Sequence, residues 1–549
     1  MSADGPPASL FLQCRTALGA SAGRRRCAGG RIPVRERTGP LLPAHASLPG
    51  ARPLGGRRAQ RASGGCASRA RLLLAFLVAA GAAGGAQAQL PREISRAFAY
   101  AHVPLEHVAI VVKETGKGRP ILDLHPDRSM NPASVMKLVT TFAALELLGR
   151  DHRWRTEAYL GGPLVDGRLD GPLILKGGGD PKITLEQWDA FIAALRTGGL
   201  AEVAGDLVLD RSLFRLPPHD ASQFDQQPQR PYNVGPDALL VNFKTVRVRF
   251  VPQVDGMGVD VVAEPSLPQV AIGAAPLPVD GPCNDWRASL GALLSSQPQS
   301  ATMAFPGRFP RECGERDWNF ALLDHPNYVL GAFQASFGAA GGVFGGTVRD
   351  GRVPTGATPY AALESLPLYE VVRDINKLSN NVMARQVFLS LALTQSPPPA
   401  TPDKARAAVR AWLAKRKLAL PELVIENGSG LSREERLSAG GLVRLLDAAD
   451  ASAVREEFAS SLAVAANDGT VVRRFQNGSV AGQALLKTGS LEGVRALAGY
   501  VIDAAGRRWS LAVIVNHPNA ARAQAALDAV VSWTYAEAGR PPGLRLRGR

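Results

Sequence analysis

The C-terminal end of this chain constrains its fold most. Residues 485–488, 495–503 and 509–517 are apolar runs of strand length, the last two joined through Ala504-Ala505-Gly506. An amphipathic segment over residues 520–538 follows, so the pattern predicts an antiparallel sheet with a helix laid on it. Near the other end, residues 107–115 and 121–125 read as two more strands across the Gly116-Lys117-Gly118 turn.

Helical periodicity dominates next to these strands. Asn131-Pro132-Ala133 opens an apolar-periodic run over residues 134–148, which Gly149 ends as a helix C-terminal signal. From residue 154 to 354 the texture changes to short β-like runs, such as 172–176, 205–210 and 247–251, with a helix of any length only at 185–196. This reads as an inserted, strand-rich region of two units. Helical patterns return at 366–378 and 382–393, broken by Ser379-Asn380-Asn381, and again at 403–416 after a Pro-rich loop.

The net charge of +15 invites nucleic acid or an anionic membrane as partner. Its location removes that reading. Residues 1–88 hold 13 Arg against Asp4 and Glu36, and the remaining 461 residues carry 50 basic and 46 acidic side chains. Arg69 and Arg71 precede an apolar stretch at residues 72–80, and small residues close on Ala86-Gln87-Ala88. A basic flank, a short apolar stretch and an A-x-A site predict a secretory signal peptide cleaved after Ala88. The 17 residues from 72 to 88 are short and Gly/Ala-rich for a membrane anchor. The expected product is extracytoplasmic, in the periplasm or beyond, with no transmembrane anchor after cleavage.

Only Cys283 and Cys313 follow the leader, and an even pair in an exported chain is most simply a disulfide. The eight histidines are scattered without zinc-ligand spacing, so neither a metal nor a cofactor is expected.

Three short motifs carry chemistry: Ser134-Val135-Met136-Lys137 (S-x-x-K), Ser379-Asn380-Asn381 (S-x-N) and Lys487-Thr488-Gly489 (K-T-G). At the first turn of a helix, Lys137 lies on the same face as Ser134 and can reach its hydroxyl. A serine is a poor nucleophile until a base removes its proton. Lysine can be that base only if burial or nearby positive charge lowers its pKa, and Lys487 could supply the charge. Gly489, on a strand, lets a ligand approach the backbone closely.

In this order the motifs resemble those of penicillin-binding proteins and β-lactamases. More narrowly, the chain resembles the D-alanyl-D-alanine carboxypeptidase/endopeptidase family, the class C low-molecular-mass penicillin-binding proteins. Residues 132–137, Gly178-Gly179-Asp180-Pro181, residues 427–433, Asp468-Gly469-Thr470 and residues 487–491 carry the narrower match. The long gap between the first two motifs points the same way, since class A β-lactamases have a short one. The resemblance implies an α+β fold of sandwich type, the penicillin-binding/β-lactamase-like transpeptidase fold, with an antiparallel sheet flanked by helices and two inserted β-rich domains. It implies a leader at 1–88, a catalytic domain at 89–153 and 352–549, inserted domain II at 154–182 and 270–351, and inserted domain III at 183–269. Ser134 would be acylated with Lys137 as its base, Ser379 would relay a proton to the leaving group, and Asn381 would bind the substrate amide. Lys487 would hold the electrostatics, and Thr488, Gly489 and Ser490 would contact substrate. The main-chain amides of Ser134 and Ser490 would form the oxyanion hole. The implied partners are peptidoglycan stem peptides and β-lactam antibiotics. Glu435 departs from the Asn common in the family after the Ser-Arg pair, at a position outside the three motifs.

Two alternatives stand beside the serine peptidase: a non-catalytic binder of peptidoglycan or β-lactam, and a β-lactamase. A Ser-His-Asp hydrolase lacks a placed histidine, and Gly428-Ser429-Gly430 reads as a turn rather than a nucleophile elbow.

Overall fold

In the computed structural model, which describes residues 90–538, the two ends of the chain meet in one sheet. Val108–Glu114 (β1) and Leu122–Leu124 (β2) join Ala463–Val464 (β3), Ala484–Leu491 (β4), Val494–Ile502 (β5) and Arg508–Asn516 (β6). The order is β2-β1-β6-β5-β4-β3, and every neighbouring pair is antiparallel. The chain ends join where β1 lies on β6, Val108 opposite Val515 and Glu114 opposite Trp509. The leader expected at residues 1–88, with its export signal, falls outside the described residues.

Successive side chains on a strand point to opposite faces, and here both faces are covered. Helices Arg92–Tyr100 (α1), Lys137–Leu147 (α2), Leu368–Leu378 (α3), Asn381–Ala392 (α4), Ala439–Asp450 (α5) and Gln524–Glu537 (α6) flank the sheet. Val108, Ile110 and Val112 of β1 and Leu511, Val513 and Val515 of β6 share a core with α1 and α6. Ala109, Ala496, Ala498 and Ala512 face the other way, into the core of α2 to α5. Val111, Tyr500 and Ile514 join these alanines on that face, and because both faces are buried, a one-residue slip would exchange the two sets of side chains. Each fully buried Val, Leu or Ile contributes roughly 1.5–3 kcal/mol. Burial on both sides also explains why the runs VAIVV and LAVIV lack polar alternation.

Between α2 and α3 the chain builds a separate apolar core around Trp188, Phe191, Phe250, Phe305, Phe309 and Phe333. A five-stranded mixed sheet there contains Leu173–Lys176 and Leu207–Asp210. Thr245–Pro252 pairs with Val259–Glu264 on one side and with Arg316–Ala321 on the other. The helix expected at 185–196 is Leu185–Thr197, closed by a Thr184/Gln187 capping box. A second helix, His325–Ala339, is one the sequence pattern did not announce. Its Gly, Ser and Asn content is poor for a helix. The Asp324 side chain caps it, accepting from Asn327 N at 2.8 Å, and burial of Tyr328, Val329, Phe333 and Phe337 supplies what propensity does not. Cys283 and Cys313 lie in this region with Cα atoms 4.8 Å apart. No helix among the described residues is long and apolar enough to cross a membrane, and no group of His, Cys, Asp and Glu among them could hold a metal.

Candidate active site

The loop before Ser134 is locked at both ends. Asn516, at the end of β6, accepts from Asn131 N at 2.8 Å and donates to Asn131 O at 3.0 Å. The Asn131 side chain donates to Ser432 O at 2.8 Å and accepts from Ala133 N at 2.8 Å. Ala133 takes a left-handed φ of 46°, and the turn Ala133–Met136 leads directly into α2. Ser134 is therefore presented half-buried one turn before Lys137, which is fully buried.

Two glycines let neighbouring backbone close on this turn. A Cβ on Gly489 would meet Pro132 O at 2.6 Å and Ser134 N at 3.2 Å. One on Gly430, whose φ is +82°, would meet Ala133 O at 2.0 Å. A side chain at either place would push the serine turn away from its surroundings.

The second motif stands at a helix junction. Ser379 ends α3 in a left-handed conformation, φ 58° and ψ 35°, and Asn380 caps α4, its side chain accepting from Met383 N at 3.0 Å. The chain turns there, and the Ser379 hydroxyl accepts from Lys487 Nζ at 2.8 Å. Lys487 and Thr488 lie on β4, and Thr488 Oγ1 meets Thr470 Oγ1 at 2.8 Å. Ser490 follows, exposed on the same strand.

Lys137 gathers the first two motifs. Its Nζ lies 3.0 Å from Ser134 Oγ and donates to Asn381 Oδ1 at 2.6 Å and to the main-chain oxygen of Ser429. Burial is the chief reason that its pKa falls well below the ordinary lysine value. The charges of Lys487 and Arg385 push the same way, and Glu435 opposes them. Burial alone brings Lys487 down to about 7. Among the expected residues, Ser134, Lys137, Ser379, Asn381 and Lys487 form two hydrogen-bonded groups, with Thr488, Gly489 and Ser490 along β4 beside the serine turn. Cys283 and Cys313 sit in the insertion.

The sequence matches the D-Ala-D-Ala carboxypeptidase 3 (S13) family over residues 91–537. This chain belongs to that family. It is a serine-type carboxypeptidase by that membership. It is 30% identical over 459 residues to the D-alanyl-D-alanine carboxypeptidase of Actinomadura sp. (strain R39), covering 80% of this chain and 83% of the relative. It is 24% identical over 417 residues to the D-alanyl-D-alanine carboxypeptidase DacB of Haemophilus influenzae, covering 75% and 85%. The crystal structure of penicillin binding protein 4 (dacB) from Haemophilus influenzae superposes with a TM-score of 0.65 at 22% identity, over 80% of this chain and 99% of that one. The expected penicillin-binding fold is thereby shown.

In this S13 carboxypeptidase the site holds residues that motif reading passes over. Glu435 is fully buried, and its Oε1 accepts from the main-chain N of Asn427 and Gly428, each at 3.1 Å. Oε2 has no partner among the described residues, and burial pushes the carboxyl up to about 7. Glu435 thus pins the loop whose Ser429 carbonyl meets Lys137, so its place outside the motifs understates it. Arg385, on α4, is buried with Nη1 donating to Val234 O at 3.0 Å. The one sequence signal for this neighbourhood is the Asn427-Gly428-Ser429-Gly430 stretch, whose glycines mark a close backbone approach.

Proposed function

We propose that this enzyme is exported and cleaves D-Ala-D-Ala termini of peptidoglycan stem peptides, and their cross-links, through an acyl-enzyme on Ser134. The observation that carries the reading is a fully buried lysine amine 3.0 Å from a serine hydroxyl at a helix start. Two N–H bonds of a neutral amine are taken up by the Asn381 and Ser429 oxygens, which turns its lone pair towards Ser134 Oγ. Lys137 then accepts the hydroxyl proton as Oγ bonds to the penultimate D-Ala carbonyl carbon. The main-chain amides of Ser134 and Ser490 hold the oxyanion, each donor worth about 3 kcal/mol. Ser379, hydrogen-bonded to Lys487, relays the proton taken up by Lys137 to the departing amine as the C–N bond breaks, which leaves Lys137 neutral and Ser379 protonated. Thr488 and Ser490 contact the substrate carboxylate, Gly489 gives it room, and Lys487 supplies the local field. Water cleaves the ester and frees Ser134.

With water as acceptor, an uncross-linked stem gives carboxypeptidase action and a cross-link gives endopeptidase action. A β-lactam offers a carbonyl in place of the scissile amide, so its ring C–N bond opens and an ester persists on Ser134. Export places the enzyme outside the cytoplasm, with the Cys283–Cys313 pair oxidised. The catalytic domain comprises 89–153 and 352–549, and the insertion divides into the two domains with boundaries at 182 and 270. Mass spectrometry of purified muropeptides after incubation tests the activity: loss of a terminal D-Ala and resolution of dimers support it. Intact muropeptides alongside rapid penicillin turnover would make the chain a β-lactamase instead.

A further inference from the structure

A cavity of about 680 Å³ opens at the second motif and extends to the insertion. Its lining includes Ser379, Asn380 and Asn381 and, from the insertion, Arg230, Arg287 and Trp318. Trp318 is half-buried, and the guanidinium groups of Arg230 and Arg287 lie 5.9 and 5.8 Å from its ring centroid. Arg287 also lies 4.9 Å from the Trp286 ring, and Arg230 Nε donates to Gln227 Oε1 at 2.8 Å. Among the described residues neither guanidinium forms an ion pair.

The cavity lining holds three more charged groups, Glu186, Arg247 and Glu264. Arg247 pairs with Glu264, and Glu186 is held below its ordinary pKa by the Thr184 hydroxyl. With Arg247 paired to Glu264, Arg230 and Arg287 stand without an ion pair against one further carboxylate, Glu186, which leaves the cavity with one excess positive charge and two guanidinium groups oriented by an aromatic surface. Guanidinium forks match the planar oxygen pair of a carboxylate, and ring contacts reduce what is lost in ordering them.

We infer that this cavity is a leaving-strand subsite, in which Arg230 and Arg287 bind a free carboxylate of the second stem peptide in a cross-link. The side is set by Ser379, whose role in passing a proton to the departing amine belongs to the reading above, on which this inference rests. A released D-Ala is a single residue, whereas the leaving strand of a cross-link carries a further stem with its own carboxylates, so the subsite distinguishes dimers from monomers.

The test compares three substrates in steady-state kinetics: a cross-linked dimer with free stem carboxylates, the same dimer amidated, and a monomeric pentapeptide. For the R230Q/R287Q enzyme, KM for the charged dimer should rise about tenfold, the size expected for one lost charge-assisted contact. The ratio of its KM to that of the amidated dimer should rise to about one, and R230Q/R287K should restore part of the preference. An unchanged KM for the charged dimer, or an equal rise for all three substrates, overturns the subsite. Penicillin adduct formation, followed in parallel on the unsubstituted enzyme, separates the two claims. Its absence overturns the acyl-enzyme reading together with the subsite, whereas an adduct with no charge discrimination overturns the subsite alone.

Discussion

At Lys137, two fixed oxygen acceptors and one hydroxyl meet a single buried amine. Replacing it by Ala removes the proposed base, and the rate of acylation by a chromogenic β-lactam should fall by about 10²–10⁴-fold. The amine must be neutral to act, so activity rises with pH as the proton leaves. Glu435 raises the Lys137 pKa, and Glu435→Gln deletes that charge. The acid limb of the pH profile for acylation should therefore move to lower pH, and a shift to higher pH would contradict the coupling. Stability has its own sign. A folded carboxyl at about 7 against an unfolded 4.5 binds more protons when folded, so Glu435 costs stability as pH rises through that window. The Ser134–Lys137 pair was legible because helical spacing alone brings i and i+3 together. Glu435 was not, because its effect depends on burial that local sequence does not encode.

Elements bring the motifs into register, and glycines set how closely they pass. Gly489 lets β4 run against the serine turn. Gly489→Ala should slow penicillin acylation by about 100-fold, the cost of misplacing reacting groups by an ångström, and lower stability by about 1–3 kcal/mol through overpacking. Stopped-flow acylation and thermal melts read the two effects separately. The strands of the chain ends and the C-terminal helix were readable from periodicity and turn residues, since 107–115, 495–503 and 509–517 all became strands of the main sheet, whereas α1 and α5 were not anticipated. His325–Ala339 escaped because its helix rests on a capping aspartate and a buried aromatic face rather than on propensity.

Across the whole molecule, the apolar core of the insertion is distinct from the two cores that sandwich the catalytic sheet. The proposed Cys283–Cys313 disulfide would close a 30-residue separation, so reducing it should lower stability by about 3 kcal/mol, measured by urea unfolding with and without reductant. An unchanged midpoint would show that the pair contributes nothing. Motif order and spacing located the site across 353 residues from Ser134 to Lys487. They could not show the cavity between Ser379 and the insertion, which exists only once strands such as Thr245–Pro252 and Arg316–Ala321 pair. The central claim, an acyl-enzyme on Ser134, is tested most directly by the intact mass of the protein after incubation with penicillin. One covalent adduct on the unsubstituted enzyme and none on Ser134→Ala is the predicted result. An enzyme without adduct, or an equal adduct on the variant, would contradict it.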